Sequence, residues 1–191
     1  VILAGGKSSR FGRDKSQMEL AGTKIVDHLL QILSHFRFRQ LAVSTAYGKG
    51  EKWREGVVTL PDDQESLGPM GGIATALRRL PGGIFVTACD MPFVSIPLVE
   101  WLLDCYDPRA GAVIPRHPGG IEPLLGIYEK GILPLLEEAI RREEYALHGI
   151  LKRAEVRYVD VPKEFSVELE FSNVNTPEDY ERVVKLLSMD H

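Results

Sequence analysis

What this 191-residue chain lacks already narrows what it can do. Its two cysteines, Cys89 and Cys105, carry no metal-ligand spacing and point to a reducing compartment. Its five histidines, His28, His35, His117, His148 and His191, form no ligand pattern either, so each reads as a surface or packing residue. No apolar run approaches the length of a membrane span, and none reads as a secretory signal. Nor is there an excess of positive charge. The 23 Lys and Arg against 27 Asp and Glu leave a net charge of −4, which argues against a general nucleic-acid binder. A cytoplasmic protein with small-molecule partners, and with neither membrane nor nucleic acid among them, is the expectation.

What is present gathers at the start. Val1, Ile2 and Leu3 run through Ala4 into Gly5 and Gly6, and then into a stretch bearing Lys7, Arg10, Arg13 and Lys15. A strand ending in glycines exposes backbone N–H groups with no Cβ in front of them, and an anion can be held there. Four cations beside it make a polyphosphate the natural guest. Spacing excludes two common phosphate loops. The Walker pattern would need its first glycine at Val1, and the dinucleotide fingerprint fails because the glycines stand at 5, 6 and 12.

Apolar segments alternate with helix-period segments along the rest. Strands are expected at Val1–Leu3, Leu41–Val43, Val57–Leu60, Ile84–Ala88, Ala112–Ile114, Leu124–Tyr128 and Val156–Val161. Helical spacing of Ile25, Val26, Leu29, Leu30, Ile32, Leu33 and Phe36 gives a crossover helix, and further helices fit 69–80, 132–142, 146–153 and the stretch after Pro177. The Pro118-Gly119-Gly120 turn is too short for a parallel crossover, so the strands flanking it should pair antiparallel. The expected fold is α/β: one domain over 1–191, a mixed, mainly parallel sheet between helical layers. In such a sheet ligands bind beyond the carboxyl ends of the strands. The glycine loop, Ser44 and Thr45, Asp62 and Asp63, and Cys89-Asp90-Met91-Pro92-Phe93 all follow strands and should converge on one edge.

Asp90 is the leading acid. It ends a buried strand, where a carboxylate is costly unless it meets a cation, and Mg2+ prefers one or two carboxylates plus phosphates and water. The competing reading is a cap for the helix starting near Ser95. Arg10 can hold phosphate oxygens bidentately, while Lys15 acts as a point charge at a reacting phosphate. No nucleophile–base pair accompanies them.

The run Leu3-Ala4-Gly5-Gly6-Lys7-Ser8-Ser9-Arg10-Phe11-Gly12-Arg13-Asp14-Lys15 resembles the signature loop of the molybdenum cofactor guanylyltransferases, the MobA-like nucleotidyltransferases with one Rossmann-like domain. Gly68-Pro69-Met70-Gly71-Gly72, the Asp90 segment, and Phe171-Ser172-Asn173-Val174-Asn175-Thr176-Pro177-Glu178-Asp179 resemble that family's later boxes, in the expected order. The resemblance implies GMP transfer from GTP to the phosphate of molybdopterin cofactor, dependent on Mg2+ held by Asp90. It implies nucleotide contacts from Leu3, Ala4, Gly5, Gly6, Lys15, Ser44, Asp62, Gly68, Gly71 and Asp90, catalytic roles for Lys15, Arg10 and Asp90, and acceptor contacts from Asn173 and Asn175. Molybdoenzymes or other cofactor-biosynthesis proteins are the implied hand-over partners. Gly5 and Asp14 lean towards GTP, since the cytidylyl relatives tend to show alanine and proline there. Ser44 departs from the asparagine that the family often has at its position, and Asp63 beside Asp62 leaves that register open. Arg116, His117 and Glu122 match no family pattern closely enough for a role. The alternatives are a cytidylyltransferase or another nucleotidyltransferase with a different phosphorylated acceptor and, in another class, a non-catalytic nucleotide-binding protein of the same fold.

Overall fold

The computed structural model describes residues 1–5, 19–20, 22–50, 52–174, 176, 178–179 and 181–182. Its strands and helices run in chain order β1 (Ile2–Leu3), β2 (Glu19–Leu20), β3 (Thr23–Lys24), α1 (Ile25–Leu33), β4 (Leu41–Thr45), β5 (Val57–Pro61), α2 (Gly68–Arg79), β6 (Ile84–Ala88), α3 (Ile96–Asp104), β7 (Ala112–His117), β8 (Gly120–Ile121), β9 (Leu125–Tyr128), α4 (Leu133–Arg141), α5 (Leu147–Leu151), β10 (Val156–Asp160) and α6 (Val167–Glu170). The main sheet has the order β10-β7-β9-β6-β1-β4-β5, with β8 folded back on β7, while β2 and β3 form a small separate hairpin.

The five-residue strand β6 is apolar throughout but for Thr87 and buried at every position, as a strand covered on both faces must be. Side-chain alternation sorts the sheet into two cores. Ile2, Val43, Phe85, Val113 and Ile127 face one layer with Leu29 of α1 and Leu98 of α3. Leu3, Ala42, Val86, Ile114 and Tyr128 face the other, with Ile73 of α2, Leu136 of α4 and Ile150 of α5. Period-two strands between period-3.6 helices thus give a mixed, mainly parallel sheet flanked by helices, as expected.

Strands β6, β1, β4 and β5 are mutually parallel, and β9 is the antiparallel member, paired with β6 on one side and β7 on the other. Because β9 reverses between them, β6 and β7 point the same way, and β10 runs parallel to β7. Every parallel strand therefore delivers its carboxyl end to one edge, and β9 delivers its amino end there. The chain goes from β1 outward through β4 and β5, then returns to β6 on the opposite side of β1. That reversal makes the β1–β6 boundary the switch point where α/β sheets open a crevice.

Several expected boundaries move. Helix α1 stops at Leu33, and β4 continues to Thr45 and β5 to Pro61. The β2–β3 hairpin and α6 are additions that periodicity does not signal, each being shorter than one full pattern. Among the described residues no helix is long and apolar enough to cross a membrane.

Candidate functional site

At the switch point the outgoing backbones are locked together. Ala4 N–H donates to Ser44 O at 2.9 Å, Cys89 N–H donates to Leu3 O at 3.0 Å, and Asp62 N–H donates to Thr45 O at 2.9 Å. A Cβ on Gly5 would lie 3.0 Å from both Ala46 N and Thr45 C, so glycine is what allows β1 to leave the sheet against the β4 loop. Leu3 and Ala4 are buried, and their backbones are committed to β6 and β4 respectively. Gly6, Lys7, Arg10, Arg13 and Lys15 lie outside the described residues.

Beyond β4 and β5 the two aspartates separate cleanly. Asp62 is 8% exposed and accepts a hydrogen bond from Ser44 Oγ at 3.1 Å. Burial pushes its carboxyl up to about 6, against the pull of the Ser44 bond and with a further push from Asp63. Asp63 turns the other way, to Arg78 and Arg79 of α2, with Thr75 Oγ1 at 3.4 Å. Leu60 and Asp62 share one side of the strand at a spacing of two, the signal that distinguishes the pair. Ser44, only 1% exposed, spends its hydroxyl on Asp62 and so orients the carboxylate.

Helix α2 closes over this corner. A Cβ on Gly72 would stand 2.6 Å from Ser44 Oγ and 2.9 Å from Leu3 Cδ2. One on Gly71 would stand 2.6 Å from Leu67 Cβ and 3.4 Å from Asp62 Oδ2. The glycines of this box thus bring the first turn of α2 down onto the strand ends. Gly68 sits at its start with a φ of 60°, and Pro69 follows within the first turn. A surface groove between α2 and α4 is lined by Asp63, Thr75, Arg78 and Glu137, but Arg78 pairs with both acids there.

On the other side of the switch point, Asp90 follows β6 directly, with its Oδ1 closed off from solvent. It does not cap the next helix. That cap is Ser95, whose hydroxyl oxygen accepts from Leu98 N–H at 3.2 Å. Glu122, directly after β8 with its N–H donating to Pro115 O at 3.0 Å, also comes near Asp90. Burial raises its carboxyl above the usual range, the Leu124 N–H holds it down, and the nearby charge of Asp90 raises it further. The hairpin register alone brings Glu122 there, which no local spacing reveals. His117, at the end of β7, lies with its ring centroid 5.0 Å from that of Phe171, while its Nδ1 accepts from Gly119 N–H at 3.1 Å. Burial lowers its pKa.

The C-terminal box docks onto the same loop. Val174 N–H donates to Asp90 O at 2.7 Å, and Val174 is buried while Asn173 is exposed. Asp179 N–H donates to Thr176 Oγ1 at 3.1 Å, as a helix-capping threonine accepts. Asn175 and Pro177 lie outside the described residues. Among the described residues no group of three His, Cys, Asp or Glu could cage a metal. Asp90 offers a carboxylate with the Glu122 carboxylate nearby, a donor type that fits an ion that keeps water and substrate phosphates in its shell, as Mg2+ does.

The sequence profile of a family described as the MobA-like NTP transferase domain matches residues 1–158. A probable molybdenum cofactor guanylyltransferase of Carboxydothermus hydrogenoformans is 32% identical over 196 residues, covering 99% of this chain and 96% of that protein. Its counterpart in Thermococcus kodakarensis is 30% identical over 195 residues, covering 100% and 96%. The crystal structure of molybdopterin-guanine dinucleotide biosynthesis protein A from Archaeoglobus fulgidus superposes with a TM-score of 0.79 at 31% identity, covering 98% of this chain and 97% of that one.

Proposed function

Because this chain belongs to the MobA-like NTP transferase family, and is therefore a nucleotidyltransferase, we propose that it transfers GMP from GTP to the phosphate of molybdopterin cofactor and releases pyrophosphate. The observation that carries the reading is the convergence at the β1–β6 switch point. Gly5 and the Asp62 corner lie on one side, Asp90 and the Asn173 segment on the other. A donor nucleotide and an acceptor phosphate would meet between them.

On the nucleotide side, Asp62 is the acceptor for N–H or hydroxyl donors of the nucleoside, held in place by Ser44. Gly68 and Gly71 let the first turn of α2 approach it, Leu3 and Ala4 carry the chain out of the sheet, and the Gly5–Gly6 backbone holds the phosphates. Arg10 and Lys15 supply positive charge where negative charge builds up on the reacting phosphate. Asp90 holds Mg2+, which when bound neutralises phosphate charge. On the acceptor side, Asn173 and Asn175 orient the incoming phosphate. That phosphate is ionised at neutral pH, so the chemistry needs alignment and no general base. The shortage of nucleophile–base pairs in the sequence agrees with this.

Base choice is tested by calorimetric titration of GTP, CTP and ATP in the presence of Mg2+. GTP binding most tightly, by about tenfold over CTP, is the expected result, since one buried unpaired group costs on the order of 1.4 kcal/mol. Equal or tighter CTP binding contradicts the guanylyl assignment and favours a cytidylyltransferase.

A further inference from the structure

Asp62 and Glu170 are the two acids buried among the described residues, and only Asp62 belongs to the nucleotide corner. Glu170 is 8% exposed at the end of α6, and its Oε2 accepts from Ser95 Oγ at 2.6 Å, the length of a charge-assisted O–H···O bond. Burying a carboxylate is costly, and an apolar residue would pack there without that cost. The same serine oxygen caps α3 through Leu98 N–H. Ser95 therefore joins the loop after β6 to the C-terminal segment. A second tether, Val174 N–H to Asp90 O at 2.7 Å, closes the other end. Between the two tethers the residues 171–174 belong to no strand or helix, and Asn173 lies among them.

We propose that Glu170 is a positioning residue: acting through Ser95, it fixes the segment carrying Asn173 at a set distance from Asp90. The inference rests on the proposed roles of Asn173 and Asp90. Without the Glu170 tether the Val174–Asp90 bond opens more often, and acceptor alignment is lost while the nucleotide corner, built from β1, β4, β5 and α2, stays intact.

The test compares Ser95→Asp with the double variant Ser95→Asp/Glu170→Gln, in the full chain. Aspartate keeps the helix cap but sets a carboxylate against Glu170, and the Gln amide in the double variant donates to that carboxylate and restores the tether. Glu170→Ala is a second way to remove it. Amide hydrogen exchange is the first readout. Ser95→Asp and Glu170→Ala should each speed exchange at Val174 by about tenfold, leaving Ala4 and Asp62 unchanged, with recovery in the double variant. In steady state the acceptor KM should rise by a similar factor at constant GTP KM. Unchanged exchange at Val174, or equal acceleration in both halves without rescue, overturns the proposal. The exchange arm decides the matter even if the natural chain proves not to use molybdopterin cofactor, an outcome that would instead overturn the functional reading.

Discussion

The two halves of the sheet edge are built by different means. The half proposed for the nucleotide, β1, β4, β5 and the start of α2, is parallel throughout and shaped by backbone proximity. Glycines stand where any side chain would strike a neighbour, Gly5 against the β4 loop and Gly72 against Ser44. The half proposed for the acceptor, β6, β9, β7, β10 and the C-terminal segment, contains the antiparallel strand β9 and is shaped by side chains from separate stretches: Asp90, His117, Glu122, Glu170 and Asn173. Close-packed backbone makes a rigid mould for the constant part of a nucleotide. Side chains on loops and tethers can change one by one, as a cleft for a variable acceptor requires. The two halves should therefore respond differently to substitution.

The largest effect is expected at the seam. Asp90→Asn is nearly isosteric but removes the charge offered to the metal, so turnover should fall on the order of a thousandfold with the fold intact. Turnover followed across a Mg2+ titration, with circular dichroism as the fold control, checks it. Near-normal rates at ordinary Mg2+ would make Asp90 a structural residue. Next, Lys15→Ala should lower kcat by about a hundredfold and GTP affinity far less, because in the proposed site binding is shared with the glycine backbone and Arg10. An affinity loss alone, read from single-turnover rates at saturation, would reassign Lys15 to ground-state binding.

A smaller effect should stay within the nucleotide half. In Gly72→Ala the new Cβ meets Ser44 Oγ and Leu3 Cδ2 well inside contact distance. Stability should drop by roughly 1–3 kcal/mol, and GTP affinity should fall as Asp62 loses its partner. The Val174 amide in the acceptor half should keep its exchange protection; if it does not, the halves are not independent.

The smallest effect sharpens the electrostatics. The Asp62 carboxyl is raised from 3.8 to about 6. Below the lower value it is protonated whether the chain is folded or not, and the burial costs nothing. As pH rises from there to about 6 the unfolded chain ionises first, and the folded state loses stability relative to it. Asp62→Asn removes the charge and can keep the Ser44 bond. Its melting temperature should match that of the natural chain near pH 4 and exceed it above pH 6, by the equivalent of on the order of 2 kcal/mol. A difference independent of pH would show that burial of the charge is not the cause.

The same contrast explains what could be read before the structure. Strands such as Ile84–Ala88 and the stripe of α1 announce themselves because their burial is written in local periodicity, and the sheet class follows. The glycine boxes of the nucleotide half are also local, because close approach forces one residue type at one position. The choice between Asp62 and Asp63 was legible in principle through the spacing from Leu60, although a pair of polar residues in a turn hides it. The acceptor half is different. Glu122 comes near Asp90 only through the register of the β7–β8 hairpin, and Ser95 meets Glu170 across 75 residues of chain. Val167-Glu168-Leu169-Glu170 reads as a solvated helical turn, and nothing near it signals that its last acid is buried.

In the proposed reaction the seam between the halves joins GMP to a phosphorylated pterin. The most direct measurement is pyrophosphate release in Mg2+ with each of the four nucleoside triphosphates, with and without molybdopterin cofactor, and with the nucleotide product identified by mass. Release that requires both GTP and the cofactor, yielding the guanine dinucleotide, is the predicted result. Release that is fastest with CTP, or that does not depend on the cofactor, would contradict it.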